Sequence, residues 1–328
     1  MLSSLPLLLL AAWPLGPFQS ELAPLPETRL VFGGDVMLSR HVGKAARYKK
    51  DPAWPLRGLA EYLSSASIAF VNLESPFRAG GKPVESGMVF KAEPEIVETL
   101  VHAGIDVVST ANNHARDQGE EGLLYTLKLL GEKGIAAAGT GESSEAAHRG
   151  AVLQRDGVSF GFLAYTYDQL NGIHAGADQR VAMLDVQQMQ RDVRELKRRA
   201  IVVVSMHAGH EYQGRPNAQQ VEFARKAIDA GAAVVVGHHP HVAQPVEAYR
   251  DGIILYSLGN LVFDQFHRRD TQEGLLAEVV FRGRRLERAI VYPVRLVNAA
   301  PQFAAGEPIV AYPPPGHSGS LRPLRVAD

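Results

Sequence analysis

Short runs of β-branched and apolar residues alternate with helical stretches along most of this 328-residue chain. The alternation is typical of βαβ units, in which parallel strands form a sheet and helices cover its faces. The sequence predicts strands at 29–34, 68–72, 106–111, 135–138, 159–165, 201–207, 233–237 and 253–257. It predicts helices at 94–102, 118–133, 186–199 and 216–230, and an antiparallel β-hairpin at 274–294. The predicted fold class is therefore α/β.

Prolines concentrate at the two ends of the chain, so we expect the folded unit to span 29–299. The remaining ranges are predicted to be a leader at 1–28 and a proline-rich tail at 300–328. An apolar run at 5–18, with no lysine or arginine before Arg29, has the character of a signal-peptide core. It is shorter than the roughly 20 residues that a membrane-spanning helix needs. We therefore expect an exported protein that is periplasmic or extracellular, with association to a membrane left open. The alternative is an intracellular protein that carries an apolar leader.

The amino-acid composition limits which partners and which metal ligands this chain can use. Lysine and arginine number 34 against 35 aspartates and glutamates, so no overall positive field favours nucleic acid as a partner. Cysteine is absent, which excludes disulfides, thiolate nucleophiles and cysteine-bound zinc. A metal site in this chain would have to use histidine, carboxylate and amide ligands.

Polar residues collect in loops directly after the predicted strands, where ligands bind in α/β proteins. Five of the 12 histidines fall between positions 207 and 241. Imidazole and carboxylate are good ligands for zinc, manganese and iron. Asp35 and Glu74 add negative charge after neighbouring strands. These loops together predict a site for one or two divalent ions, of the kind used in phosphoryl or acyl hydrolysis.

Six ordered motifs in the range 29–265 resemble those of the CapA capsule-synthesis family. They are Gly-Asp-x-Met at 34–37, Asn-Leu-Glu at 72–74, Asn-Asn-His at 112–114, His-x-Gly-x-Glu-Tyr at 207–212, Gly-His-His-Pro-His at 237–241 and Tyr-Ser-Leu-Gly-Asn at 256–260. The family is linked to poly-γ-glutamate biosynthesis and is similar in fold to calcineurin-like metallophosphoesterases. The resemblance implies a four-layer α/β/β/α metallophosphoesterase-like sandwich with its metal site at the strand ends.

The resemblance also implies roles for individual residues. Asp35 and His241 would hold a first metal, Glu74 would bridge, and Asn113, His207 and His239 would hold a second. His114 would be the catalytic acid or base. Residues expected to support these ligands or to contact substrate are Asn112, His210, Glu211, Tyr212 and Asn260. Met37 stands where the metallophosphoesterase motif has a histidine, and a thioether is a poor ligand for these ions.

The sequence thus favours an exported CapA-like protein that makes or processes poly-γ-glutamate or a related cell-surface polymer. Its expected activity is that of a divalent-metal-dependent hydrolase acting on a phosphoester or a γ-glutamyl amide. The alternative is a non-catalytic polymer-binding or assembly subunit on a degenerate metallophosphoesterase scaffold, which Met37 favours. Expected partners are an anionic cell-surface polymer or phosphoester substrate, and membrane subunits of a polymer synthase.

Overall fold

The computed structural model describes residues 25–167, 179–312 and 321–322, so the leader expected at 1–28 lies almost wholly outside the described residues. Two β-sheets with flanking helices form the described part of the chain. The α/β class predicted from the sequence is confirmed. In the described part of the chain, no helix is both long enough and apolar enough to cross a membrane.

The first sheet is mixed and has the order β14-β13-β12-β1-β2-β3-β4, with β11 paired to β1 and β15 paired to β13. Its strands are β1 (Glu27–Val36), β2 (Ile68–Leu73), β3 (Val107–Ser109), β4 (Ala136–Ala138), β11 (Asn260–Val262), β12 (Glu273–Arg282), β13 (Arg285–Val297), β14 (Ala300–Phe303) and β15 (Ile309–Val310). Strands β1 to β4 are parallel, so their carboxyl ends lie at one edge of the sheet. β14 and β15 lie within the range expected to be a tail, and both pair with β13.

The second sheet has the order β16-β9-β10-β8-β7-β6-β5. Its strands are β5 (Ala151–Arg155), β6 (Val158–Thr166), β7 (Ile201–His207), β8 (Ala232–His238), β9 (Val246–Tyr249), β10 (Gly252–Leu255) and β16 (Leu321–Arg322). The four central strands, β6, β7, β8 and β10, are parallel. Each of the strands expected from the sequence in this sheet is present, while β5 and β9 are additional antiparallel strands.

The α-helices are α1 (Arg40–Lys49), α2 (Ala60–Ser64), α3 (Glu98–His102), α4 (Gly119–Glu132), α5 (Ser144–Arg149), α6 (Val186–Leu196) and α7 (Ala218–Ala230). Short 3-10 helices occur at Trp54–Leu59, Pro94–Val97 and Asp270–Gln272. Local sequence explains the sharp ends of α7. Asn217 forms a reciprocal capping pair with Gln220 at its start, and Gly231 ends it in a left-handed conformation.

Three hydrophobic clusters lie in the interior. The first packs helices α1 to α4 against the first sheet, and the third packs α6 and α7 against the second. The second cluster takes residues from both sheets, as where Phe70 of β2 stacks on Phe162 of β6 with ring centroids 5.8 Å apart. The second cluster therefore joins the two sheets, helices pack against each sheet through the first and third clusters, and the candidate site lies where strand ends of both sheets meet.

Candidate metal centre

Parallel strand ends of both sheets converge on one buried group of polar side chains. In the first sheet Asp35 pairs in register with Asn72 of β2 and Asn260 of β11. In the second sheet His207 at the end of β7 is in register with His238 at the end of β8. Close backbone approach is needed here, because a Cβ atom on Gly34 would lie 1.9 Å from the Gly259 carbonyl oxygen.

Glu74 lies at the centre of this group and is fully buried. Its Oε1 atom is 4.0 Å from Nε2 of His114, 3.9 Å from Nε2 of His207 and 3.8 Å from Nε2 of His241. Oε1 has no hydrogen-bond partner among the described residues. These separations are too long for hydrogen bonds. Those to His207 and His241 are typical of atoms that share a metal ion, since ligand atoms about 2 Å from one ion lie roughly 3–4 Å from each other.

Asp35, also fully buried, holds the loops of the second sheet against the first. Its Oδ1 atom accepts a hydrogen bond from Asn72 Nδ2 at 2.8 Å and is 3.3 Å from His238 Nδ1. Its Oδ2 atom accepts the backbone N–H of His239 at 3.2 Å and is 3.4 Å from His241 Nδ1. One ligand atom each from Asp35, Glu74 and His207 lie within 4.8 Å of one another.

The remaining predicted ligands join the same group. His207 Nε2 lies 2.9 Å from Asn113 Oδ1, which brings the second-sheet histidine to the loop after β3. His239 is almost fully buried, its ring centroid is 4.9 Å from that of His207, and its Nδ1 has no partner in the described part of the chain. The structure therefore brings together all six residues that the sequence predicted as metal ligands.

Burial and mutual charge set the ionisation of these groups. Burial raises the pKa of Glu74 well above its ordinary value, and the charges of Asp35 and Glu211 add to the effect. For Asp35, burial acts in the same direction but is outweighed by contacts with His238 and His241, so its pKa falls well below the ordinary value.

The histidines shift in the direction that suits a ligand. Burial, with the like charge of neighbouring imidazoles, lowers the pKa of His207 well below 6.5 and that of His239 to about 3. Both rings are therefore neutral near pH 7 and have a lone pair available. The neutral rings of His207 and His239, together with the unpaired buried oxygen of Glu74, make a favourable place for a cation.

His114, the predicted acid or base, lies beside the ligands and opens onto a cleft of about 330 Å³. Its Nδ1 donates to Asp117 Oδ2 at 2.7 Å, since a carboxylate oxygen can only accept. Its ring stacks on Phe90 with centroids 3.8 Å apart. These contacts orient the imidazole and leave Nε2 directed toward Glu74. Arg40, Tyr212 and His241 also line the cleft.

The residues expected to support the ligands have separate positions. Asn112 donates to Asn72 Oδ1 at 3.2 Å and accepts the His114 backbone N–H at 3.1 Å. Asn260 Oδ1 is 3.0 Å from His241 Nδ1, so it fixes that ring. Glu211 and Tyr212 line the cleft, whereas His210 is exposed.

Four further residues contribute contacts that the sequence analysis did not assign. Asn72 links Asp35 to His207, because its Nδ2 atom donates to Asp35 Oδ1 and lies 3.3 Å from Nδ1 of His207. Asp117 orients His114. His238 faces Asp35, and Tyr167 Oη hydrogen bonds to His239 Nε2. Asn72 and His238 lie inside motifs that the sequence displays, but nothing in the sequence pattern distinguishes Tyr167 from a core tyrosine.

Met37 takes no part in the ligand group. Its side chain is fully buried in the cluster between the first sheet and its helices, and its sulfur accepts the Ser39 backbone N–H at 3.1 Å. The ring nearest to Asp35 Oδ1 is that of His238 instead. The residue that replaces the motif histidine is therefore a core residue.

Comparison with known proteins places this arrangement in context. A family model described as bacterial capsule synthesis protein PGA_cap matches residues 29–265. The capsule biosynthesis protein CapA of Bacillus anthracis is 31% identical over 280 residues, which cover 82% of this chain and 67% of that protein. The PGA biosynthesis protein CapA of Bacillus subtilis is 32% identical over 280 residues, covering 82% and 72%.

Two further matches are more distant. A probable polyglutamine synthesis accessory protein of Mycobacterium tuberculosis is 29% identical over 281 residues, covering 72% of this chain and 74% of that protein. The crystal structure of a hypothetical protein from Thermus thermophilus superposes with a TM-score of 0.53 at 17% identity. It covers 81% of this chain and 98% of that chain. This last match shows similarity of fold alone.

Proposed function

This chain belongs to the bacterial capsule synthesis family PGA_cap, and on that premise we propose that it is a divalent-metal-dependent hydrolase of poly-γ-glutamate or a related anionic cell-surface polymer. The observation that carries the proposal is the geometry around Glu74, whose unpaired buried oxygen faces three imidazole nitrogens at 3.8–4.0 Å. Relatives of the chain are named for capsule and polyglutamine synthesis. The substrate bond is proposed to be a γ-glutamyl amide or a phosphoester.

The donor set fits one or two ions such as Mn²⁺, Zn²⁺ or Fe²⁺. It consists of carboxylate, amide and imidazole donors, which are the ligands that these ions take when thiolate is absent. Asp35 and His241 would hold one ion; Asn113, His207 and His239 would hold the other; and Glu74 would be shared. Bound there, divalent ions would polarise the scissile group and activate water for attack.

The chain's own residues would complete the chemistry. His114 has Asp117 on one ring nitrogen and the cleft beside the other, which is the arrangement of a general acid that protonates a leaving group. Phe90 covers one face of the ring and keeps it from turning. The cleft beside it would hold the substrate bond.

The four-layer α/β/β/α arrangement is proposed as the scaffold. Its support is the set of three hydrophobic clusters, two of them between a sheet and its helices and one between the sheets. The fold similarity to a solved structure is consistent with it. Export of the protein by its leader, and contact with membrane subunits of a polymer synthase, are proposed from the apolar run at 5–18 and from the names of the relatives.

A non-catalytic role in polymer handling is the second candidate. It is favoured by the Mycobacterium tuberculosis relative, which is named a probable accessory protein of polyglutamine synthesis. In this role the same ligands would hold a cation that binds polymer carboxylates, with no turnover.

Metal analysis combined with a cleavage assay separates the two candidates. The full chain would be purified without chelator, its bound metals counted, and its action on γ-linked oligoglutamate and on a generic phosphodiester followed with Mn²⁺ or Zn²⁺ present. Bound metal with turnover that His114→Ala lowers about 10²–10⁴-fold supports the hydrolase. Bound metal with polymer binding but no turnover supports the accessory role. Absence of bound metal at saturating Mn²⁺ and Zn²⁺ contradicts both.

A further inference from the structure

His239 differs from the other two histidines of the metal centre in which ring nitrogen contacts a residue outside the proposed ligands: this is Nδ1 in His207 and His241, but Nε2 in His239. His207 and His241 turn Nε2 toward the Glu74 carboxylate, at 3.9 and 3.8 Å. His239 instead has Nε2 in a hydrogen bond with Tyr167 Oη, and the two rings meet edge to face with centroids 4.7 Å apart. Its Nδ1 atom is buried and has no partner among the residues that the structure describes.

The backbone holds His239 in this orientation at a cost. Its φ angle is +95°, in the left-handed region that favours glycine, and its N–H donates to Asp35 Oδ2 at 3.2 Å. A non-glycine residue in such a conformation is strained, and such strain persists where surrounding contacts enforce it. The local conformation is therefore set by the site rather than by the residue's own preference.

In both neutral forms of the His239 ring, the buried Nδ1 atom lacks a hydrogen-bond partner among the described residues. If Tyr167 donates its O–H, the His239 proton resides on Nδ1 and is a buried donor without an acceptor among the described residues. If Nε2–H donates to the Tyr167 oxygen, Nδ1 carries a bare lone pair. Only the second form suits a cation, because metal-bound histidines commonly donate their other ring N–H to a neighbouring acceptor. A buried polar atom without a partner is unfavourable, so the second form with a cation at Nδ1 is the satisfied state.

We infer that Tyr167 is a positioning residue that accepts the Nε2–H of His239 and thereby directs its Nδ1 atom to the divalent ion. The inference rests on the proposed metal centre and adds to it a ligand atom and a supporting residue. Tyr167 follows directly after strand β6, whose last residue, Thr166, is in register with His207. Its hydroxyl is therefore carried to the site by the strand next to the one that supplies His207.

The variant Tyr167→Phe tests this with a change of one oxygen atom. The matched control is Tyr165→Phe, near the end of strand β6 and two residues before Tyr167, since Tyr165 is buried and donates its hydroxyl to Asp192 at 2.8 Å, outside the ligand group. Zn²⁺ and Mn²⁺ affinities of the full chain would be measured by competition with a chelating dye. We expect Tyr167→Phe to weaken the affinity for one bound ion about 10- to 100-fold, the effect typical of removing a partner of a metal-bound histidine. We expect Tyr165→Phe to leave the affinity unchanged.

Nitrogen NMR of the histidine rings in Zn²⁺-loaded wild-type protein provides a readout that needs no variant. The inference requires His239 to be metal-bound at Nδ1 and protonated at Nε2. Coordination through Nε2, or a Tyr167→Phe protein that binds metal equally well or more tightly, would overturn it, because Tyr167 would then compete with the metal. If wild-type protein loads metal but shows no hydrolysis, the hydrolase proposal fails and the affinity test of Tyr167 still decides the inference. If wild-type protein binds no divalent ion, both are refuted.

Discussion

Replacing Glu74 with glutamine is expected to stabilise the metal-free protein and to abolish its stabilisation by metal. Glu74 is fully buried, its Oε1 has no hydrogen-bond partner among the described residues, and its ligand atom lies within 4.8 Å of that of Asp35. Two unit charges 4.8 Å apart repel by about 3.5 kcal/mol at an effective dielectric constant of about 20. Burial, and then the charge of Asp35, raise the pKa of Glu74, so the charged form of this carboxyl is disfavoured here.

We therefore expect Glu74→Gln to raise the free energy of unfolding of the metal-free protein by about 1–3 kcal/mol, part of the repulsion just given. For a chain of this size that is an increase in Tm of about 2–6 °C. In wild-type protein, Mn²⁺ at about 100 times its Kd should add about 2.7 kcal/mol. In the variant this increment should be lost, because a neutral amide cannot replace a carboxylate shared by the ions. The assay is thermal unfolding with EDTA and with Mn²⁺.

Glu278 offers a matched control, because it is a buried glutamate whose Oε2 atom is hydrogen bonded. It accepts hydrogen bonds from Arg29 and Tyr62, each at 3.0 Å, away from the ligand group. Glu278→Gln should lower stability by about 1–3 kcal/mol and leave the Mn²⁺ increment intact. A Glu74→Gln protein that is less stable than wild type in EDTA, or that keeps the full Mn²⁺ increment, would refute the reasoning.

Three further predictions follow from the same geometry. The pKa of Glu74 is raised in the folded state, so the stability of metal-free wild type relative to Glu74→Gln should fall as pH rises above 4.5, as measured by chemical unfolding of both proteins. Asp117→Asn should lower the rate of hydrolysis about 10- to 100-fold, because Asp117 orients His114. The metal content should not change, since Asp117 contacts no predicted ligand, and loss of metal would contradict this. Gly34→Ala should lower the free energy of unfolding by about 1–3 kcal/mol, since its Cβ would lie 1.9 Å from the Gly259 oxygen. Gly131→Ala, in helix α4 where the added Cβ meets no neighbour, should raise it by about 0.5–1 kcal/mol, and equal effects in thermal unfolding would refute the packing argument.

Much of the fold was readable from the sequence because the strands are continuous apolar runs between helical stretches. The strands β7 and β8 were predicted to within a residue or two, since both are buried on both faces. The antiparallel strands β5 and β9 were not predicted. β5 alternates between half-buried and exposed residues and pairs only with its neighbour β6 in the described part of the chain, so its sequence lacks a continuous apolar run.

The convergence of the six residues predicted as ligands could be anticipated, because each lies near the carboxyl end of a strand and within one of the motifs. Parallel strands place their carboxyl ends at one edge, so residues distant in sequence are brought together. Asp35 and His239, for example, are 204 positions apart and in hydrogen-bond contact. The contribution of Tyr167 could not be predicted in this way, because it depends on the rotation of one histidine ring, which the residue pattern does not encode.

The position of Met37 shows where transfer by motif reaches its limit. Aligning Gly-Asp-x-Met with the metallophosphoesterase motif makes Met37 the substitute for a metal-binding histidine. In the structure its side chain packs with the helix-side cluster, and the nitrogen at 3.3 Å from Asp35 Oδ1 comes from His238 on the other sheet. A histidine at position 37 would therefore be buried among apolar residues instead of facing the ligands. Asp35 already has imidazole neighbours from the opposite sheet, because His238 and His241 lie 3.3 and 3.4 Å from its two oxygens. The absence of the motif histidine at position 37 therefore does not leave Asp35 without histidine contacts.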